Sequence, residues 1–182
     1  MNTPEQYQQL WDSMELMEVT AAHVLTLAGK IKANKPRYDT VSAATSVPWA
    51  FIGVIHNMEC DLSFHAHLHN GDPLTARTVH VPAGRPVTGN PPFTWEFSAE
   101  DALRYMGYDK ITDWSVPSML LHLEKYNGGG YAKRGINTPY LWSATNHYGL
   151  PPNIGKYTSD GKFDPNAISN QIGAAALLKQ LI

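Results

Sequence analysis

Apolar residues recur at helical spacing along most of this chain, and polar segments rich in glycine and proline interrupt them. Residues 61–92 contain the turn signals Asn70-Gly71 and Asp72-Pro73, and residues 75–81 show β propensity with some alternation. This segment predicts a loop with a small, irregular β-hairpin. Residues 149–163 are predicted to form a loop. The predicted helices cover residues 4–33 (with a break allowed near 17–20), 38–45, 48–59, 98–107, 115–126, 139–147 and 167–181. The pattern therefore predicts a mainly α (α+β) single domain over residues 1–182, in which residues 1–35 form an N-terminal helical segment.

The helix predicted over residues 48–59 is apolar on most of its circumference, so we expect it to be buried. Glu59 lies in its last turn, where the helix dipole places partial negative charge. The dipole and the apolar surroundings both favour a protonated carboxyl group. Such a group can act as a general acid near neutral pH. The alternative is a solvated glutamate at a frayed helix end.

Asp72 is the candidate for a second catalytic group. A turn-rich stretch separates it from Glu59, so the chain can fold back and place the two carboxylates opposite each other. Glycosidic cleavage uses an acid and a second carboxylate, which lies roughly 5 to 9.5 Å away and acts as a nucleophile or as a base for water. Asp72 could instead stabilise its own turn, and Asp61 could cap the turn that follows the helix.

Histidines suggest an alternative metal site. His65, His67 and His69 alternate, so they would share one face of a strand, and neutral imidazoles on one face can bind zinc. The helical HExxH pattern is absent, and no cysteine pair is available. The competing interpretation is that these histidines form hydrogen bonds within a loop. The same interpretation applies to His56 and His80.

Cys60 follows Glu59 directly and lies one helical turn from His56, which suggests a cysteine nucleophile. That mechanism also needs an orienting group and an oxyanion hole, and no motif in the sequence indicates either one. We expect a buried, unreactive thiol.

Aromatic and amide side chains occupy the flexible segments and could contact the apolar faces and hydroxyl groups of a sugar. Such residues are also common in hydrophobic cores, and Trp95 and Trp142 in particular could be core residues. The set comprises Phe93, Trp95, Tyr126, Asn127, Tyr131, Tyr140, Trp142, Asn146 and Tyr148.

Composition narrows the classes of function. The chain has 182 residues, 43% hydrophobic and 16% charged, which is typical of a globular domain. A net charge of −2 without a basic stripe argues against nucleic acid as a partner. The N-terminus is not a secretory signal, and no apolar run approaches the roughly 20 residues of a membrane span. We therefore expect synthesis in the cytoplasm, and a target elsewhere would require a separate delivery route.

Several stretches of the chain resemble bacterial and phage lysozyme-like proteins. They are residues 48–59, 67–86, 91–96 and 134–142, and the resemblance extends from about residue 38 to residue 178. More distantly, Glu59 at a helix end and the segment Tyr126-Asn127-Gly128-Gly129 are similar to goose-type lysozymes and lytic transglycosylases. Two positions depart from that pattern, since Cys60 replaces a serine and Gly128 replaces an alanine.

The resemblance implies a lysozyme-like fold and peptidoglycan as the partner. Glu59 would be the acid, and Asp72, or a water held by Thr75 or Thr78, would complete cleavage between N-acetylmuramic acid and N-acetylglucosamine. The substrate-binding residues would be Thr75, Thr78, Trp95, Tyr126, Asn127 and Tyr140.

The same resemblance leaves other functions open. If water is excluded, the muramic C6 hydroxyl could attack and give an anhydro product, as in a lytic transglycosylase. A non-catalytic glycan-binding module is the other alternative. We expect a monomer without cofactor or metal, which a holin or a secretion apparatus delivers to the cell wall.

Overall fold

The computed structural model of the chain describes residues 1–158 and 161–182. These residues are mainly helical and include one antiparallel pair of short strands. Short 3₁₀ turns occur at Tyr108–Lys110 and Ala132–Arg134. The main elements in chain order are α1 (Pro4–Asp12), α2 (Glu18–Ala33), α3 (Lys35–Thr45), α4 (Trp49–Cys60), α5 (Trp95–Tyr105), α6 (Val116–Asn127), α7 (Pro139–Trp142), β1 (Lys156–Tyr157), β2 (Phe163–Asp164) and α8 (Ala174–Leu178).

The chain divides into two compact units. Residues 29–114 form the central unit, and residues 1–28 with 115–182 form the terminal unit. The prediction of a single domain stays a prediction.

Helices α3, α4 and α5 pack together in the central unit. Helix α4 is buried from Ala50 to His56, as its apolar circumference predicts. A Cβ atom built on Gly53 would lie 2.5 Å from Cγ2 of Ile31. The missing side chain at Gly53 therefore allows α4 to approach its neighbours closely, which fixes the position of the helix that carries Glu59.

Helices α1, α6, α7 and α8 pack in pairs in the terminal unit. Its core contains Leu120, Leu123 and Trp142, all fully buried, and every residue of α8 is buried as well. The segment Tyr126–Asn127 forms the end of α6, as the glycines that follow it predict.

The main helical predictions are confirmed. A break does separate α1 from α2, but it lies at residues 13–17, ahead of the predicted 17–20. The predicted helices at 48–59 and 115–126 correspond to α4 and α6. Helix α5, however, begins three residues before the predicted Ser98. Thr94 is its N-cap and accepts a hydrogen bond from the backbone N–H of Phe97 at 3.3 Å.

The hairpin predicted within residues 61–92 does not form strands there: residues 75–81 are irregular, and only an isolated antiparallel bridge joins Ala66 to Pro73 among the described residues of this segment. The two short strands are β1 and β2, which lie in and just beyond the segment 149–163 predicted as loop. Positions 159 and 160 of that segment lie outside the described residues. The backbone N–H groups of Val79 and His80 donate to the Asp72 carboxylate, at 2.7 and 3.0 Å. Side-chain acceptors thus take the donors that a β-ladder would need.

The last helix is also shorter than the predicted residues 167–181. In the residues before α8, backbone N–H groups donate to side chains. The N–H of Ser169 donates to the hydroxyl of Tyr148 at 3.3 Å, and the N–H of Gln171 donates to the hydroxyl of Ser169 at 3.3 Å. These bonds replace the helical hydrogen bonds that the apolar pattern suggests.

Among the described residues, no helix is both long enough and apolar enough to cross a membrane.

A buried hydrogen bond joins α1 to α6. The hydroxyl of Tyr7 donates to Oε2 of Glu124 at 2.6 Å, and the two residues are 1% and 4% exposed. Burial and the neighbouring Glu124 raise the pKa of Tyr7. We expect Tyr7→Phe to lower the free energy of unfolding by about 1 to 3 kcal/mol, because Glu124 loses a donor in a buried site. Chemical denaturation measures this change.

Tyr105→Phe is the matched control, since Tyr105 is 56% exposed. We expect it to change the free energy of unfolding by less than about 0.5 kcal/mol. Equal effects of the two substitutions would contradict a stabilising role for the Tyr7–Glu124 bond.

Candidate active site

Glu59 is half-buried in the last turn of α4. Asp61 and Leu62 follow with φ angles of 48° and 60°, so the chain turns away directly after the helix. The N–H of Asp61 donates to the carbonyl oxygen of Asn57 at 3.2 Å, and that of Leu62 to His56 at 3.3 Å. These bonds cap the helix end and hold the backbone on both sides of Glu59.

The charge of Glu59 affects two neighbouring groups. Burial, followed by the charge of Glu59, raises the pKa of Tyr108 to about 12. Burial, then the charges of Glu59 and Asp61, also raises the pKa of Cys60 to about 12. The Glu59 carboxylate is therefore close enough to the phenol of Tyr108 and to the Cys60 thiol for its charge to act on both.

These contacts argue against a cysteine nucleophile. A thiol with a pKa of about 12 holds its proton at neutral pH, whereas the nucleophile is the thiolate. The Cys60 thiol also donates to the carbonyl oxygen of His67 at 3.4 Å. Cys60 therefore fits the buried, unreactive residue that the sequence suggests.

His56 anchors the turn that follows Glu59. It is fully buried, and its Nδ1 lies 3.0 Å from the hydroxyl of Tyr38 while its Nε2 lies 3.0 Å from the carbonyl oxygen of Ser63. Burial lowers the pKa of His56 to about 4, so the ring is neutral at pH 7. A neutral ring with both nitrogens engaged holds Ser63, four residues after Glu59, against the core.

The loop after α4 returns to the end of that helix. A Cβ atom built on Gly71 would lie 3.8 Å from the main-chain oxygen of Glu59. The carboxylate of the next residue, Asp72, is directed to its own loop: Oδ2 accepts from Val79 and His80 backbone N–H groups, and Oδ1 lies 2.6 Å from Nδ1 of His80. These bonds use both carboxylate oxygens.

The hydrogen bonds from His80 and Val79 hold the pKa of Asp72 well below its ordinary value. Asp72 is 6% exposed, so water reaches it poorly. A carboxylate that is this strongly hydrogen-bonded is a weak base and a weak nucleophile. Its contacts favour a structural role in the loop over the second catalytic role that the spacing suggests.

We expect Asp72→Asn to lower the free energy of unfolding at pH 7 by roughly 1 to 2 kcal/mol, because charge-assisted hydrogen bonds are lost. A carboxylate with a lowered pKa stabilises the fold above its ordinary value of 3.8, and this stabilisation disappears as pH falls through the lower folded value. The difference between wild type and variant should therefore shrink below about pH 4. Urea denaturation across this pH range measures it.

Asp39→Asn is a control for that measurement, since Asp39 forms an exposed ion pair with Lys35. We expect it to have little effect at any pH. An Asp72→Asn variant that is as stable as wild type at pH 7 but loses most of its activity would restore the catalytic interpretation of Asp72.

Two other predicted binding residues of the central unit are buried. Thr78 is 3% exposed, and its hydroxyl donates to the carbonyl oxygen of Pro82 at 2.6 Å while accepting from the N–H of Arg85 at 2.9 Å. Trp95 is 1% exposed and packs in the core of the unit. Thr75, in contrast, is exposed and lines a cleft.

The remaining predicted binding residues belong to the terminal unit. Tyr126 is half-buried, and Asn127 is exposed at the end of α6. The amide Nδ2 of Asn127 donates to the hydroxyl of Thr138 at 3.2 Å, which leaves its Oδ1 available to a ligand. Tyr140 is 6% exposed, so it contributes mainly to the core.

Three ring nitrogens of His67 and His69 have protein partners, whereas Nδ1 of His69 is buried without a hydrogen-bond partner among the described residues. Nδ1 of His67 lies 2.6 Å from the hydroxyl of Ser98, and its Nε2 lies 2.8 Å from the carbonyl oxygen of Ala76. Nε2 of His69 lies 2.9 Å from Asp101. Within the described residues, no group of three or more His, Cys, Asp or Glu side chains could hold a metal ion. The zinc hypothesis therefore has no ligand set in this part of the chain.

Tyr108 is the neighbour of Glu59 that sequence reasoning missed. It lies in a 3₁₀ turn 49 positions after Glu59, next to Gly107, whose φ is 75°. No local motif links positions so far apart, because only the packing of the central unit brings them together.

No protein-family model, curated protein sequence or solved structure matches this chain.

Proposed function

We propose that this protein is a peptidoglycan glycosidase that cleaves the β-1,4 bond between N-acetylmuramic acid and N-acetylglucosamine, with Glu59 as the general acid. The position of Glu59 carries the proposal. It is a half-buried carboxyl group at the negative end of a buried helix, and its charge helps to raise the pKa of Tyr108. Both the helix dipole and the burial favour the protonated acid that must donate to the leaving oxygen.

The proposal includes a lysozyme-like fold and a glycan strand as the partner. The mainly helical architecture and the exposed Asn127 at the end of α6 support it, since both agree with the resemblance in the sequence. Thr75 and Asn127 are the predicted binding residues with the most accessible polar groups. A substrate in the cell wall would require delivery, for which a holin or a secretion apparatus is suited.

Lytic transglycosylation is the second candidate, and the contacts of Asp72 favour it specifically. Hydrolysis by two carboxylates needs a nucleophile or a base beside Glu59. If Asp72 stays hydrogen-bonded to Val79 and His80, Glu59 has no second carboxylate to act as that nucleophile or base. Glu59 would first donate its proton to the leaving oxygen as the glycosidic bond breaks. Its carboxylate would then take up the proton of the muramic C6 hydroxyl as that hydroxyl attacks the anomeric carbon.

The experiment that tests the proposed function is digestion of purified peptidoglycan with and without a chelator. We expect soluble glycan fragments in both conditions, because a carboxyl acid needs no metal. Activity that disappears with the chelator and returns with zinc would support a zinc-dependent hydrolase instead. Tight binding of insoluble peptidoglycan without release would support a glycan-binding module.

A further inference from the structure

The central unit contains a cleft of about 560 Å³, within the range typical of small-molecule sites. It lies where the start of α5 meets the loop after α4, and Thr75 and His65 contribute to its lining. Three further lining residues, Arg37, Trp95 and Glu96, determine its chemistry.

Arg37 lines the cleft with a guanidinium group whose two Nη atoms are available to a ligand. Its Nε donates to Oε1 of Glu96 at 2.5 Å, and its Cζ lies 3.8 Å above the centre of the Phe64 ring. Within the described part of the chain, its two Nη atoms have no hydrogen-bond partner, and 39% of the side chain is exposed. A guanidinium held over an aromatic ring, with free Nη groups, is preorganised to bind a carboxylate.

Trp95 supplies an unused donor. The residue is 1% exposed and lines the cleft, and its Nε1–H has no acceptor among the described residues. A buried donor without a partner destabilises a protein, so most such groups are satisfied. The Nε1 atom is itself buried, so the contribution of Trp95 to the cleft is its aromatic surface, and the carboxylate is assigned to Arg37.

The rest of the lining is largely apolar, since Phe64, Leu74, Pro92 and Phe93 contribute to it. A ligand that fits must therefore combine an anionic oxygen group with a small apolar part. We propose that this cleft binds a carboxylate on a short alkyl framework, with Arg37 as the carboxylate-binding residue. In peptidoglycan, such carboxylates occur on the peptide stems and on the lactyl ether of muramic acid, and this identification rests on the proposed function.

The negative charge of Glu96 should weaken binding of a carboxylate to Arg37, and this effect can be tested. The hydrogen bond from Arg37 lowers the pKa of Glu96, so its carboxylate is charged at neutral pH and repels a second carboxylate. Removing this charge should release Arg37 for the ligand. We therefore expect Glu96→Gln to bind the carboxylate about threefold more tightly, which a merely structural role of the Arg37–Glu96 pair would not produce.

The test uses two probes, N-acetylmuramic acid and N-acetyl-alanyl-alanine, each compared with its carboxamide by calorimetry on the full chain. We expect at least one acid to bind wild type about tenfold more tightly than its amide. In the Arg37→Gln variant, the acid should bind no more tightly than its amide. Lys35→Gln removes the same charge from the same helix but lies outside the cleft lining, and it should leave both affinities unchanged.

The probe that shows this discrimination identifies the source, lactyl or peptide. Equal or undetectable binding of acid and amide for both probes would overturn the proposal, and so would equal effects of Arg37→Gln and Lys35→Gln. Neither probe contains the glycosidic bond, so these results do not depend on catalysis by Glu59. The acid–amide comparison on wild type stands even if Arg37→Gln does not fold.

Discussion

Glu59→Gln is expected to reduce the rate of release of soluble glycan fragments from peptidoglycan by about 10² to 10⁴-fold, the contribution of a positioned general acid. Glutamine keeps the size of the side chain and its hydrogen-bonding capacity, but it cannot donate the proton that the leaving oxygen needs. Binding of insoluble peptidoglycan should persist, because the amide still fits the site. Initial rates and a pull-down measure the two properties separately.

Asp61→Asn is the control for charge near the same helix end. Asp61 is exposed in a left-handed conformation, which asparagine also tolerates. We expect its rate to stay within about threefold of wild type, in the range of ordinary surface substitutions. If Asp61→Asn were as inactive as Glu59→Gln, the loss would reflect general electrostatics and not proton donation.

Gly173→Ala is expected to lower the free energy of unfolding by about 2 to 4 kcal/mol, among the larger effects of single substitutions. A Cβ atom at Gly173 would lie 2.3 Å from the carbonyl oxygen of Leu141 and 2.6 Å from that of Ser143. These are backbone atoms, so α7 and α8 would have to separate. The φ and ψ of Gly173 are −70° and 146°, which alanine adopts freely, so the effect is one of space alone.

Gly29→Ala is the matched control, with the opposite expected sign. Gly29 lies inside α2, and a Cβ atom there would meet nothing within 4 Å. Alanine in a helix interior should raise the free energy of unfolding by roughly 0.5 to 1 kcal/mol. Thermal and chemical denaturation of both variants test this pair. A Gly173→Ala protein as stable as wild type would contradict the close approach of α7 and α8.

The sequence predicted those helices whose hydrophobic pattern and end signals agree. Helix α4 is apolar all round and follows Pro48, and α6 begins after Ser115 and ends at the glycines from Gly128. In both cases local signals and tertiary burial favour the same boundaries. The segments at 75–81 and 167–173 differ, because side chains such as those of Asp72 and Ser169 bind the backbone donors. Such bonds depend on the folded loop and leave no periodic pattern.

The candidate site was predictable in part for the same reason. Glu59 stands out because a single carboxylate ends an apolar run, whereas the environment of Asp72 depends on how residues 72–80 fold. The cleft beside Arg37 and the proximity of Tyr108 to Glu59 arise from positions far apart in the chain. Composition and spacing contain no information about these contacts.

Mass spectrometry of the soluble fragments that wild type and Glu59→Gln release from purified peptidoglycan decides whether Glu59 is the general acid. We expect fragments ending in muramic acid from wild type and almost none from Glu59→Gln. A reducing muramic end would establish hydrolysis, and a mass lower by one water would establish the transglycosylase alternative. Equal release by both proteins, or no release by either, would contradict the role proposed for Glu59.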